Sequence, residues 1–383
     1  MASPVAAEEQ TPQSTCGAMV VEPIEPHVVR LIDDGAGHDL TDIDTFEDGK
    51  PVSLVSVGDD GSVWLTSSGG FIEIGTPGEV VDPLDTFLAQ MEIGPDGTLW
   101  IADGQHGSSI GRWRSGTWTI YDLPPTAGVV WLEATPEGGL DLAWRDGSTL
   151  QFGALLDGDG SPTIATSPPP LELGSPAGHI DVAHTPDGSA WVAESLWWQE
   201  EPRGEPGRLW VLDGMSWREV EPLGASSETW PTEMVVDGMG RLWVKWAVVV
   251  PGTSDFGPSG YLTRRDEEDS WTVFSDPDQG AGGGWLLAGR NGIWLAPEGW
   301  CSGYSMFDGE QLTRYLDGLC VRPPGISPAG DIWLFGHDRG RNHAGVYVIT
   351  PEREGQEGSP SRDCPDQRRG RSMARHAVRP SGP

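Results

Sequence analysis

Apolar and polar residues alternate in short bursts along the chain, and turn residues cut the bursts apart. Around Trp100 they run Leu88 to Ile93, Thr98 to Ala102, Ile110 to Arg114 and Trp118 to Leu123. Alternation with a period of two, bounded by Gly, Pro, Asp and Ser, predicts short strands joined by tight turns, four to a unit. The corner between the first two strands reads Gly94-Pro95-Asp96-Gly97. Proline presets φ, the aspartate oxygen closes the turn and the glycine accepts a positive φ.

Diluted copies of this corner and the strand after it recur. They read DDGSVWLT at 59–66, TPEGGLDLA at 135–143, TPDGSAWVA at 185–193, DGMGRLWV at 237–244, RNGIWLA at 290–296 and SPAGDIWL at 327–334. One anchor position aligns them at Trp64, Trp100, Asp141, Trp191, Trp243, Trp294 and Trp333, spaced 36 to 52 residues apart. That spacing suits a four-stranded propeller blade and is too long for a leucine-rich repeat. With 54 glycines and 33 prolines in 383 residues, stacked helices have little room. The expected fold is all-β, a seven-bladed β-propeller of four-stranded blades, with the anchor rings packed between neighbouring blades.

The ends complete the ring. A strand at His27 to Ile32 precedes the first unit, while the last unit lacks a fourth strand after Ile349. The N-terminal strand is therefore expected to complete the seventh blade and remove two exposed sheet edges. Residues 1–26 are expected to form a flexible leader, 27–350 the propeller and 351–383 a disordered basic tail. That tail carries Arg362, Arg368, Arg369, Arg371, Arg375 and Arg379 among Ser, Gly and Pro.

Charge narrows the partners. The net charge of -34 repels phosphate backbones, so nucleic acid is not an expected partner. No stretch is apolar for the roughly 20 residues that a membrane-spanning helix needs, so no membrane insertion is expected, and the chain is read as a monomer. The leader has no basic start and no apolar run of signal-peptide length; the compartment stays open. Of four cysteines, Cys301 and Cys320 share the sixth unit and could pair, while reduced thiols fit equally well. No Cys or His spacing suggests a structural metal. There is no phosphate-binding loop, Gly-x-Ser-x-Gly elbow or His-Glu-x-x-His motif. Asp157-Gly158-Asp159-Gly160 reads as a polar hairpin turn.

Candidate site residues follow from the unit plan. Blades four and five carry long insertions between their second and third strands, at 195–207 and 247–260. In a propeller these loops share a face with the connections between blades, and binding is usually placed there. Second strands end on that face three positions after the anchor, at Asp103, Trp144, Glu194 and Trp246 among others, and Trp197 and Trp198 follow in the blade-four loop. Asp103, Trp144, Trp197, Trp198 and Trp246 are the expected ligand-binding set. Aromatic rings beside carboxylates suit a ligand with an apolar or sugar face and a hydrogen-bonding or positive group: a small molecule, peptide, glycan or protein surface.

The stretch from His179 through Pro186-Asp187-Gly188 and Trp191 to Glu194 resembles the streptogramin B lyases, seven-bladed propellers with repeats of the form His-x6-Asp-Gly-x-x-Trp-x-x-Glu. The resemblance implies a Mg²⁺-dependent elimination that opens a cyclic depsipeptide, with His179 and Glu194 as catalytic candidates. Glu194 matches its motif position, whereas Ile180 occupies that of the histidine. Over residues 27–350 the repeats also resemble two-component regulator propellers, whose Asp-x-x-Gly-x-Leu-Trp-(Val/Ile) motif specifies a fold and carries no catalytic residue. The preferred reading is a non-catalytic binding or sensing module with no cofactor; the alternative is a lyase that uses Mg²⁺.

Overall fold

Six of the seven copies of the signature build the same hairpin. In the computed structural model the amide of Gly94 donates to the carbonyl of Thr98 at 2.8 Å, and the amide of Gly97 donates back to the carbonyl of Gly94 at 2.9 Å. The same pair of bonds forms at Gly58, Thr135, Thr185, Asp237 and Ser327. The glycine three residues before each of these anchors has φ between 76° and 86°, the left-handed region where a Cβ is penalised. The sixth blade closes a shorter turn, Gly289 N to Gly292 O at 2.8 Å.

The structure describes residues 19–351 apart from 26–27, 34–39, 41–51, 59–60, 68–69, 77–79, 82–89, 103–107, 125–126, 136, 156–163, 167, 175–178, 196–206, 222–228, 250–255, 267–269, 276–285, 296–302, 317–318, 322–323, 328–329 and 339–342. Most of the expected leader, the basic tail from residue 352 and Cys301 lie outside these. The strands form seven antiparallel sheets. In blade two the order from the inside is Gln90–Ile93, Leu99–Ala102, Ser109–Arg114 and Thr117–Asp122. Blade three begins Ala127–Ala134 and Leu140–Asp146, blade four His179–His184 and Ala190–Ser195, and blade five Thr229–Val236 and Leu242–Val249. First strands of successive blades touch one another from blade one to blade six, and the seventh blade returns onto the first. The protein is an all-β, seven-bladed propeller.

Ring closure takes the expected route and adds a strand. Val28–Asp33 pairs with His343–Ile349 of the seventh blade, with Val28 opposite Ile349 and Arg30 opposite Tyr347. Outside it lies Val20–Glu25, antiparallel to Val28–Asp33, so part of the segment read as a flexible leader is an outer strand. Val28 and Leu31, each 1% exposed, are buried among residues of the closing blades.

The anchor rings wedge the blades apart at a fixed spacing. Trp100 packs on Leu132, Leu140 and Leu142 of blade three, Trp191 on Met234 and Leu242 of blade five, and Trp243 on Leu286 and Ile293 of blade six. Trp294 meets Ile332 and Leu334 of blade seven. Guanidinium groups from third strands cover several rings, Arg112 over Trp100 at 5.6 Å and Arg264 over Trp243 at 5.3 Å, each contact contributing about 0.5–1 kcal/mol. The seam between blades three and four differs: Asp141 holds the anchor position, opposite Glu133 on the neighbouring strand.

Candidate binding face

Side-chain direction at the channel mouth is set by strand register. His179 pairs with Ser195 and Ile180 with Glu194, and the pairing continues without a shift to His184 and Ala190. Directly paired residues share a face of the sheet and neighbours along a strand do not. Ile180 and Val182 pack on Ala143, Leu150 and Phe152 of blade three, so Glu194 also faces blade three. Ala183 packs with Met234 of blade five, so His179 stands on that other side. No bulge re-aims the histidine toward Glu194.

Arg145, at the end of the second strand of blade three, joins this mouth. Burial lowers its pKa and Glu194, 2% exposed, opposes that shift; the guanidinium stays charged at pH 7. His179 is exposed, yet the wall around its ring and then the Arg145 charge lower its pKa, which leaves a neutral imidazole at pH 7. The mouth thus offers a neutral imidazole and a guanidinium backed by a covered carboxylate. Arg145 is absent from the sequence-based set, because it stands four positions after an anchor that is itself not tryptophan.

The expected aromatic residues divide. Trp144 and Trp246 are 4% and 1% exposed, so they present almost no ring surface to a ligand. Trp144 packs among Trp100, Leu132 and Leu142, and Trp246 stacks on Tyr261 at 5.8 Å and donates its Nε1 hydrogen to Thr263 Oγ1 at 2.9 Å. The physical reason is strand length. In blades three and five the second strand runs on to Asp146 and Val249, so the third position after the anchor is still inside the sheet. Asp103, Trp197 and Trp198 lie outside the described residues.

The lyase resemblance implies Mg²⁺, and the residues present do not fit it. Glu194 lies against a guanidinium that competes with a cation, His179 is on the far side of the sheet, and Ile180 offers no ligand atom. Among the described residues no three His, Cys, Asp or Glu side chains group as metal ligands.

Side chains ten residues before the anchor form a second feature. Gln90 Nε2 donates to the carbonyl of Val130 at 2.9 Å, Asp181 Oδ2 accepts from the amide of Met234 at 2.5 Å, and Glu233 Oε2 accepts from the amide of Leu286 at 2.6 Å. Each ties the first strand of one blade to that of the next.

The fold and this mouth define a class: a seven-bladed β-propeller with a polar opening beside blades three and four. No family model and no curated protein sequence matches the chain. Among solved structures it is similar to a streptogramin B lyase, with 16% identity, a TM-score of 0.56, and coverage of 81% of this chain and 97% of the lyase. It is also similar to the extracellular domain of a hybrid two-component system from B. thetaiotaomicron, with 13% identity, a TM-score of 0.53, and coverage of 87% of this chain and 45% of that one. A third structure, YCF48 bound to D1 peptide, shares 12% identity at a TM-score of 0.52, covering 88% of this chain and 100% of that one. At these identities the likeness shows the fold alone.

Proposed function

We propose that this propeller is a binding or sensing module that takes a peptide, glycan, small molecule or partner protein on the face around its channel mouth. The observation that carries the reading is the placement of exposed His179 near charged Arg145, with covered Glu194 behind. A neutral imidazole supplies one donor and one acceptor and a guanidinium five donors, a set suited to a polar, hydrogen-bonding ligand. In this reading Trp197 and Trp198 supply the apolar platform and Asp103 a further acceptor. Propellers of similar fold occur as the extracellular domain of a two-component system and in a protein bound to a peptide, which supports the class of role. No observation favours the lyase reading.

The test is a thermal-stabilisation screen with peptides, glycans and divalent ions, followed by affinity measurements on variants. Trp197→Ala and Trp198→Ala should each weaken the ligand found by about 1–2 kcal/mol while leaving the unfolding midpoint unchanged. Affinity unaffected by both changes places the site elsewhere. Mg²⁺-dependent opening of a cyclic depsipeptide by the unmodified protein, lost in His179→Ala, would replace this reading with the lyase.

A further inference from the structure

The three ties between first strands differ in chemistry. The tie from blade two to blade three is made by an uncharged amide, Gln90, whereas those from blade four to five and from five to six are made by carboxylates in succession. Asp181 reaches the strand that carries Glu233, and Glu233 reaches blade six. Lys245, 3% exposed, stands directly opposite Glu233 on the second strand of blade five. Tyr304 of blade six is fully covered, and burial and then the Glu233 charge raise its pKa. His179 shares the Asp181 face of its strand, two residues nearer the mouth. With both carboxylates ionised, two negative charges meet one ammonium in the channel wall; a single proton removes the excess.

We propose that Asp181, Glu233 and Lys245 form a proton-operated clamp across blades four to six, in which loss of one proton from the two carboxyl groups drives them apart and loosens both seams. The ties make the coupling direct, because one oxygen of each carboxyl group accepts from an amide of the neighbouring blade, so repulsion between the carboxylates acts on the backbone. Direction of titration agrees. Burial raises the Asp181 pKa to about 6 against the two amides that lower it. Burial also raises Glu233, opposed by Lys245 and reinforced by Asp181. A carboxyl group whose pKa is raised by folding binds its proton more tightly when folded. Its contribution is complete below the unfolded value and is lost as pH rises through the folded one.

Native-state hydrogen exchange on the unliganded full chain tests the clamp, with rates corrected for the intrinsic pH dependence of exchange. Between pH 5.5 and 8.5 the protection of the Met234 and Leu286 amides should fall at least tenfold, about the effect of one pKa unit of difference, while amides at the seam of blades two and three change less than threefold. Glu233→Gln should reduce the fall at both amides to under threefold, and Asp181→Asn should do so at Met234; either variant suffices if the other does not fold. His179→Ala and His184→Ala should leave the fall intact. A fall that is unchanged in Glu233→Gln and Asp181→Asn, that disappears in a histidine variant, or that is equal at all seams would overturn the clamp. None of these outcomes depends on a ligand, so they are separable from the binding reading.

Discussion

Asp237→Ala should be among the most destabilising single changes outside the apolar core. The Asp237 carboxylate is covered. Its Oδ1 accepts from the amides of Met239 and Arg241 at 2.9 and 3.0 Å, and its Oδ2 accepts from Arg241 Nε at 2.7 Å and Trp243 Nε1 at 2.9 Å. A second guanidinium nitrogen of Arg241 lies 2.7 Å from Oδ2. Arg241 then reaches the carbonyl of Asn291 in blade six at 3.0 Å, so one side chain shapes a turn, satisfies an anchor ring and orders a contact across a seam. Alanine leaves the indole N–H of Trp243 with no partner in a site that is 0% exposed, which costs about 1–3 kcal/mol. It also strips a covered partner from Arg241, whose own side chain is 23% exposed, so this loss stays below the roughly 3–5 kcal/mol of a pair buried on both sides. The two terms overlap, and about 3 kcal/mol is expected. Asp187 is the matched control from blade four. It accepts from Thr185 Oγ1 and the Ser189 amide at 2.7 and 2.9 Å, but its side chain is 51% exposed, so Asp187→Ala should cost about 1 kcal/mol or less. Urea unfolding followed by tryptophan fluorescence gives both values from the midpoint and slope. Equal losses within about 1 kcal/mol would refute the reasoning, since Asp237 differs from Asp187 in its burial, its indole contact and its pairing with two nitrogens of Arg241.

The turn glycines offer a second matched pair. Both Gly188 and Gly240 have positive φ, but a Cβ at Gly188 meets open space and one at Gly240 would lie 2.8 Å from Pro186 Cγ; alanine should cost about 1 kcal/mol at the first and at least 2 at the second, read as a difference in urea midpoint. Leu31→Ala, at a site 1% exposed in the closing hairpin, should cost about 3 kcal/mol, whereas Met239→Ala, 64% exposed, should change the same unfolding curve little. Asp187 is held well below the usual carboxylate range, first by the Thr185 hydroxyl and with help from Ser189 and Arg265. A pKa lowered by folding adds stability above the unfolded value that is lost on acidification. Asp187→Asn should therefore remove part of the decline below pH 4, about 0.5 kcal/mol after solvent screening, with no effect of this kind between pH 6 and 8.

The repeat was legible because a glycine at positive φ and a wedge ring three residues later are local demands of one turn and one strand. Closure of the ring followed from counting strands at the two ends. What escaped was set by tertiary context. Val20–Glu25 contains Pro23, which argues against a central strand and is tolerated on an outer edge. Trp144 and Trp246 were placed at strand ends by analogy with blade two, and only the observed extents show their strands running on. The ties at Gln90, Asp181 and Glu233 carried a faint signal, a polar residue ten before the anchor in three blades, which simple alternation also produces. Register places Arg145 beside the mouth, and nothing in its local sequence does so.

These particulars converge on the seam between blades three and four. Every other seam has an anchor tryptophan as its wedge; here Asp141 faces blade four, and burial raises its pKa, opposed by His184 and reinforced by Glu133 and Glu137. The tie across the seam is also polar, Glu133 Oε2 to His184 Nδ1 at 3.1 Å. The missing ring is replaced from the neighbouring strand. Trp131 occupies the position ten before the anchor, where blades two, four and five carry their ties, and it meets the His184 ring edge-on at 4.8 Å. Blade three has thus exchanged the chemistry of the two positions, ring for carboxylate. At the mouth of the same seam Arg145 faces Glu194, so polar contacts stand at both of its ends. Polar contacts contribute less net stability than a buried indole, because each is exchanged for a contact with water. Between those ends the seam is apolar, with Ala143, Leu150 and Phe152 of blade three packed on Ile180 and Val182 of blade four, so aliphatic side chains take over the packing that an anchor indole supplies elsewhere.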